Sequence, residues 1–399
     1  ANTEALAKAR DKAADETEKL EEMGQALQEA GINTDNLAKN TEELQKQYDR
    51  LQKSQEKVAA INEKIDKNNA AIAQTKSQLT GTIGAIAAVG TAIYVGPVKK
   101  AAEFQEQMSG VKAISGATTE EIAQLSNKAK EMGASTKFTA TEAGQAMEYM
   151  AMAGWKTEDM LGGIEGIMNL AAASGEDLAG VSDIVTDALT AFGLSASDAG
   201  HFSDVLAQAS SNANTNVSMM GSTFQKVAPV AGALGYSVED MSLGIGLMAN
   251  ASIKAEVAGT SLKTALANMA KPTDAQAAAM EKYGISLTNA DGSMKSFGDV
   301  VKNLRSSLGG LSEAEQVAAA TTIFGKESFA GMLAIVNASE ADFNKLTDAV
   351  YNCDGAAKQM AETKLDNLNG SITLAQSAFD ALQVELGELL LPTLTEGVK

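Results

Sequence analysis

The chain has 399 residues, 45% hydrophobic but only 4% aromatic, and carries 51 acidic against 32 basic residues for a formal charge of −19. A chain of this length can bury a real core, and small side chains interrupted by only four prolines point to long helices and an all-α class. The acidic surface repels phosphate backbones and excludes tight nucleic-acid binding, while a single cysteine, Cys353, excludes an internal disulfide framework.

Residues 1–80 hold 12 basic and 15 acidic side chains, which leaves 20 and 36, a net −16, for residues 81–399. The opening "ANTEALAKAR" has no apolar stretch of a signal peptide, lacks an initiator Met and begins in helical pattern, which predicts a fragment or processed form. Leu6, Ala13, Leu20 and Leu27 stand seven residues apart, "GINTDN" interrupts, and Leu37, Leu44, Leu51, Val58, Ile65, Ile72 and Leu79 resume the spacing. Gly31 can end the first helix and Thr34 can cap the second. Heptad spacing sustained this far predicts a coiled-coil seam, and these seven residues are its candidate interaction positions. Their companions four residues on are mostly polar, Thr41, Gln55 and Asn62 among them. So narrow a seam suits an exposed helix that pairs with another chain or folds back as a hairpin.

Residues 79–98, "LTGTIGAIAAVGTAIYVGPV", carry no charge and approach the length of a bilayer-spanning helix. Gly81, Gly84, Gly90 and Gly96 dilute the hydrophobicity, so burial between protein helices is expected ahead of membrane insertion. The resulting division is an extended helical or coiled-coil region at 1–78, an apolar Gly-rich helix or connector at 79–98, and a helical core domain at 99–395.

From residue 97 onward one local grammar repeats: a capping residue, an acid two or three places later, then an amphipathic helix. Thr118 with Glu121, Thr139 with Glu142, Ser237 with Asp240, Thr273 with Gln276, Ser312 with Glu315 and Ser339 with Asp342 follow it. "GWKTEDM" from Gly154, "GLSASDA" from Gly193 and "GYSVEDM" from Gly235 form a weak repeat, with starts 39 and 42 residues apart. That period predicts an array of short helical hairpins. Residues 284–297, where Ile285 and Leu287 alternate before a turn at Asn289 to Gly292, read as a small β-hairpin.

"STKFTATEAGQAMEYMAMAGW", residues 135–155, gathers Met147, Met150, Met152 and the chain's one tryptophan, Trp155. Thr139 and Glu142 open a helix there, Gly154 ends it, and Trp155 turns back onto it. The methionines and the tryptophan are expected to fill a core, which makes this stretch a structural signature with no cofactor in it.

No catalytic pattern is complete. His201 is the sole histidine, so multi-histidine metal motifs are excluded, and in "AGHFSDVL" it is expected to be a satisfied histidine without chemistry. "ATTIFGKES" has Ala320 and Glu327 where a phosphate-binding loop requires glycine and a hydroxyl. "LTNADGSMKSFG" offers Asn289, Asp291 and Gly292 of a calcium loop but lacks the terminal acid, with Gly298 near that place. Neither an enzyme, a cofactor nor a metal site is expected.

The runs "TKFTATEAGQAMEYMAMAGW", "NLAAASGEDLAGVSDIVTDALTAFGL" and "GTSLKTALANMAKPT" together resemble the core of phage tail tape measure proteins, also called minor tail proteins. The resemblance extends over about residues 100–395, and "AGINTDNLAKNTEELQKQYDRL" looks like the helical region that precedes that core. It implies a structural virion protein in the lumen or tip of a phage tail, made in the host cytoplasm, which templates tube assembly and length and leaves ahead of DNA on infection. Implied partners are further copies of the chain (trimer or hexamer), the tail-tube protein, tail assembly chaperones and tail-tip or baseplate hub proteins. DNA is passing cargo only, and the host membrane is touched during ejection. The competing expectation is a membrane-active or pore-forming helical protein that uses residues 79–98.

Overall fold

Hydroxyl, amide and carboxylate side chains that can accept hydrogen bonds from the free N–H groups of a first helical turn stand where most of the described helices begin. The computed structural model describes residues 90–398, and side chains within 96–389. The region 1–78, the seam from Leu37 to Leu79 and the stretch 79–89 lie outside the described residues. From Thr91 on, the described residues belong to one unit, Thr91–Lys399. They form sixteen α-helices and one 3-10 turn without a strand, an all-α fold.

In chain order the helices are α1 (Gly90–Ser115), α2 (Thr119–Ser135), α3 (Ala140–Met152), α4 (Thr157–Ser174), α5 (Leu178–Phe192) and, after the 3-10 turn Ala196–Asp198, α6 (Ala199–Asn212). Next are α7 (Val217–Ala233), α8 (Val238–Asn250), α9 (Ala255–Ala270), α10 (Asp274–Lys282) and α11 (Phe297–Leu308). The last are α12 (Glu313–Phe324), α13 (Phe329–Val336), α14 (Glu340–Tyr351), α15 (Ala356–Leu365) and α16 (Leu368–Val398). Helix α1 runs through Pro97, so residues 90–98 share one helix with residues 99–115. Among the described residues no helix is long and apolar enough to cross a membrane.

Thr118, Thr139, Ser237, Thr273 and Ser339 each accept a hydrogen bond from the N–H three residues on. At Ser312 the backbone N–H instead donates to the Glu315 carboxylate, at 3.2 Å. Helix ends explain the repeat. Gly154, Gly193 and Gly235 have φ of +88°, +73° and +78°, and the next N–H closes onto the carbonyl five residues back: Trp155 to Met150 (3.0 Å), Leu194 to Leu189 (2.9 Å), Tyr236 to Ala231 (3.0 Å). Positive φ costs glycine almost nothing, which is why the motif starts with it. Gly284 and Ile285 close the end of α10 in the same way, with the Ile285 N–H on the Met280 carbonyl at 2.8 Å.

Successive helices alternate between two rows. One row stacks α3 on α5, α5 on α7 and α7 on α9; the other stacks α4 on α6 and α6 on α8. Small residues set the spacing. Gly259 of α9 lies against the Thr223 carbonyl of α7, and Gly166 of α4 against the backbone of Gly200 in α6. The expected hairpin array is thus a pair of interlocked rows, and the chain then doubles back: α14 packs on α6 and α8, α15 on α4 and α6, and α16 on α2. Phe104, Phe202, Phe224 and Phe297 are fully buried among methionine, leucine and alanine. Each contributes roughly 1.5–3 kcal/mol of transfer free energy.

The expected β-hairpin is a correction. Residues 284–297 make one isolated antiparallel bridge, Thr288 to Met294, and no strand. Ile285 and Leu287 are buried as the alternation predicts. The loop is spent on the Asn289–Gly292 turn and the following helix cap at Ser296, which leaves too few residues for a ladder.

Candidate functional site

The 135–155 signature is a helix with both ends secured. The Thr139 hydroxyl accepts from the Glu142 N–H at 3.2 Å, and the Glu142 carboxylate accepts from the Thr139 N–H at 2.7 Å. Helical spacing then places Ala146, Met147 and Met150 on one face, all fully buried. Met152 departs from the expected core role: it is 57% exposed, because two residues on from Met150 lies the far side of the helix. Behind the Gly154 turn, Trp155 is 7% exposed. Its ring lies against Gly163 of α4. Ser182 of α5 donates to the Ala146 carbonyl at 3.0 Å within the core. The signature therefore joins α3, α4 and α5 by packing.

A second constellation brings together residues far apart in sequence. His201, in the first turn of α6, has Nε2 at 2.5 Å from Glu239 of α8 and Nδ1 at 3.4 Å from Asp354 in the turn between α14 and α15. Burial works to lower the imidazole pKa, but the bond to Glu239 and the two carboxylate charges outweigh it and hold it above the ordinary value. Glu239 is lowered on balance: burial raises it, and bonds from His201 and Ser237 more than offset that. One turn along α6, Asp204 accepts the Gly355 and Ala357 N–H groups, each at 2.8 Å, and so caps α15 across the fold.

The chemistry open to this cluster is limited. Burial first, then the charges of Asp204, Glu239 and Asp354, push the Cys353 thiol up to about 11, so at neutral pH it stays protonated and is a poor nucleophile. His201, Cys353 and Asp354 offer ligand atoms within 4.8 Å of one another. As placed, His201, Glu239 and Asp354 form a clamp among α6, α8 and the α14–α15 turn. The reading of His201 as a satisfied histidine therefore needs its long-range partners added.

Asp240 also has a role that a capping pattern does not reveal. It is buried, and Oδ1 accepts both the Phe297 N–H of α11 at 2.9 Å and the Tyr351 hydroxyl of α14 at 2.6 Å. Burial, with Asp240 second, raises the Tyr351 pKa, so the phenol remains a donor. Elsewhere Asp291 accepts from the Ser293 N–H and hydroxyl, at 2.9 and 2.6 Å, so the calcium-like loop satisfies its own carboxylate. Gly325, in the phosphate-loop-like run, ends α12 with its N–H on the Thr321 carbonyl at 3.1 Å.

The profile of the family described as phage-related minor tail protein matches residues 126–325. The chain is 40% identical over 299 residues to the tape measure protein of Pneumococcus phage Dp-1, across 75% of this chain and 26% of that protein. It is 27% identical over 306 residues to the probable tape measure protein of Escherichia phage P2, across 75% of this chain and 38% of that one. The chain thus spans about a quarter to two fifths of the length of these relatives. No solved structure matches it. The family match covers α3 through α12, the signature and both rows included.

Proposed function

Because this chain belongs to the phage-related minor tail protein family, we propose that it forms part of a tape measure protein, on which the tail tube assembles and whose length sets the length of the tube. The observation that carries this reading is the 40% identity over 299 residues with a tape measure protein. A structural role in a phage tail comes with the family. How this chain fulfils it is our own reading.

Several copies lie along the tail, associated through the heptad row from Leu37 to Leu79, with the tail-tube protein, assembly chaperones and tip or hub proteins as neighbours. The reading gains support from physics. A helix converts residue number into distance at about 1.5 Å per residue, so a heptad region measures linearly. A chain of charge −19 also does not adhere to DNA passing beside it, which suits a protein that leaves ahead of the genome. The work is done by surfaces and length, without a catalytic step.

Removal of the gene from its phage tests this directly. Loss of tails, or tails of scattered length, together with detection of the chain in purified wild-type tails by mass spectrometry, is expected. Tails of normal length assembled without it would refute the reading.

A further inference from the structure

Helix α16 carries two apolar rows and buries one of them. Ser377, Ala381 and Val384 face the body, where the Ser377 hydroxyl donates to the Lys137 carbonyl at 2.8 Å. Two ion pairs, Lys100 with Asp380 at 3.1 Å and Lys130 with Glu388 at 2.9 Å, hold the helix against α1 and α2. The other row advances by alternating steps of four and three residues, with Leu368, Ala375, Leu382 and Leu389 at one set of positions and Ile372, Phe379 and Leu386 between them. It faces solvent: Leu368 is 76% exposed, Phe379 58% and Leu389 75%. Steps of four and three keep a row straight along a supercoil, so the occupant that fits it is another helix.

We propose that this row is a self-association seam whose occupant is α16 of a second copy of the chain, a surface that deepens, and rests on, the multi-copy reading above. Charge selects the occupant. At −19, two copies repel wherever their acidic surfaces meet. The positions flanking this row, however, are Asn369, Gln376 and Gln383 on one side and Ser371, Ala378 and Glu385 on the other, with a single charge among them. The remaining acids between 368 and 389, Asp380 and Glu388, are turned to the body and paired with lysine. This is therefore a face on which two copies meet with little repulsion, and it offers nothing to a partner recognised by charge. The row is also self-complementary. Leucine recurs at the first set of positions and Ile372, Phe379 and Leu386 stand at the second, an apolar repeat that the same helix of another copy can match. Ala375, one turn before Phe379, leaves room for the two rings.

Sedimentation of the full 399-residue chain over a range of concentrations tests the seam. Self-association is expected. A double variant with Phe379→Asp and Leu382→Asp should raise the dissociation constant at least about tenfold, because it places charge inside the contact. At concentrations where wild type is monomeric its melting temperature should match wild type, since both side chains are exposed in one copy, whereas association raises the wild-type value at higher concentrations. Leu382→Cys should cross-link to itself on mild oxidation, whereas Ser306→Cys, at an exposed position of α11, should not. If only Leu44→Asp with Leu51→Asp abolishes association, the α16 seam is overturned while the multi-copy reading stands. A wild-type chain that stays monomeric at every concentration overturns both. An unchanged oligomer in the α16 variants that fails to bind another tail protein would assign the row to that protein and overturn the seam as well.

Discussion

The indole of Trp155 occupies the space over Gly163: a Cβ built on Gly163 would stand 2.5 Å from Cζ3 of the ring. Removing either member disturbs the same junction between α3 and α4. Trp155→Ala should cost about 3–5 kcal/mol through the cavity it leaves. Gly163→Ala should destabilise as well, because the ring has to move. Thermal melts of the two variants check this, and melts matching wild type would place the stretch on a surface rather than in the core.

Two glycines nearby should respond in opposite directions. Gly154 has φ of +88°, so Gly154→Ala should cost about 1–2 kcal/mol in backbone strain. Gly162 lies inside α4 with open space around it, so Gly162→Ala should stabilise by roughly 0.5–1 kcal/mol. Urea unfolding of both variants reads the sign directly.

Asp240 accepts from three donors on three segments: the Ser237 and Phe297 N–H groups and the Tyr351 hydroxyl. Asp240→Ala leaves buried donors unmatched and should cost about 2–4 kcal/mol. Tyr351→Phe should cost less, about 1–2 kcal/mol, since it leaves the two backbone donors satisfied. Equal losses in the two variants would mean that the carboxylate works only through the phenol.

The His201 clamp makes stability depend on pH in a defined window. The folded His201 pKa lies above 6.5, so its contribution is complete below about 6.5 and is lost as pH rises through the folded value. Glu239 lies below 4.5, so its contribution is complete above about 4.5 and is lost as pH falls through the folded value. Between those limits both are present. Subtracting the melting temperatures of His201→Ala from those of wild type across pH 4 to 9 should give a difference that is largest near pH 5–6 and shrinks on the alkaline side. A flat difference would remove the ion pairs from the account.

Much of the helical frame was legible in the sequence because its signals are local. Thr139 and Glu142 lie three residues apart, and the Gly154, Gly193 and Gly235 turns each close within six residues. The illegible part depends on contacts between distant segments. Asp204 meets Gly355 across 151 positions, and nothing near either residue marks the other. Asp240 carries a capping signal that conceals its bonds to α11 and α14. The spacing on α16 is present in the sequence as well, but only the fold reveals which of its two rows is covered.

Tail length in phages carrying heptad deletions tests the central claim most directly. Removing two whole heptads, fourteen residues, from the Leu37–Leu79 row preserves its phase and should shorten the tail by about 21 Å at 1.5 Å per residue, with four heptads giving about twice that. Electron micrographs of purified tails resolve such differences as population means. A linear decrease is the predicted result. Tails of unchanged length would contradict a measuring role for this part of the chain.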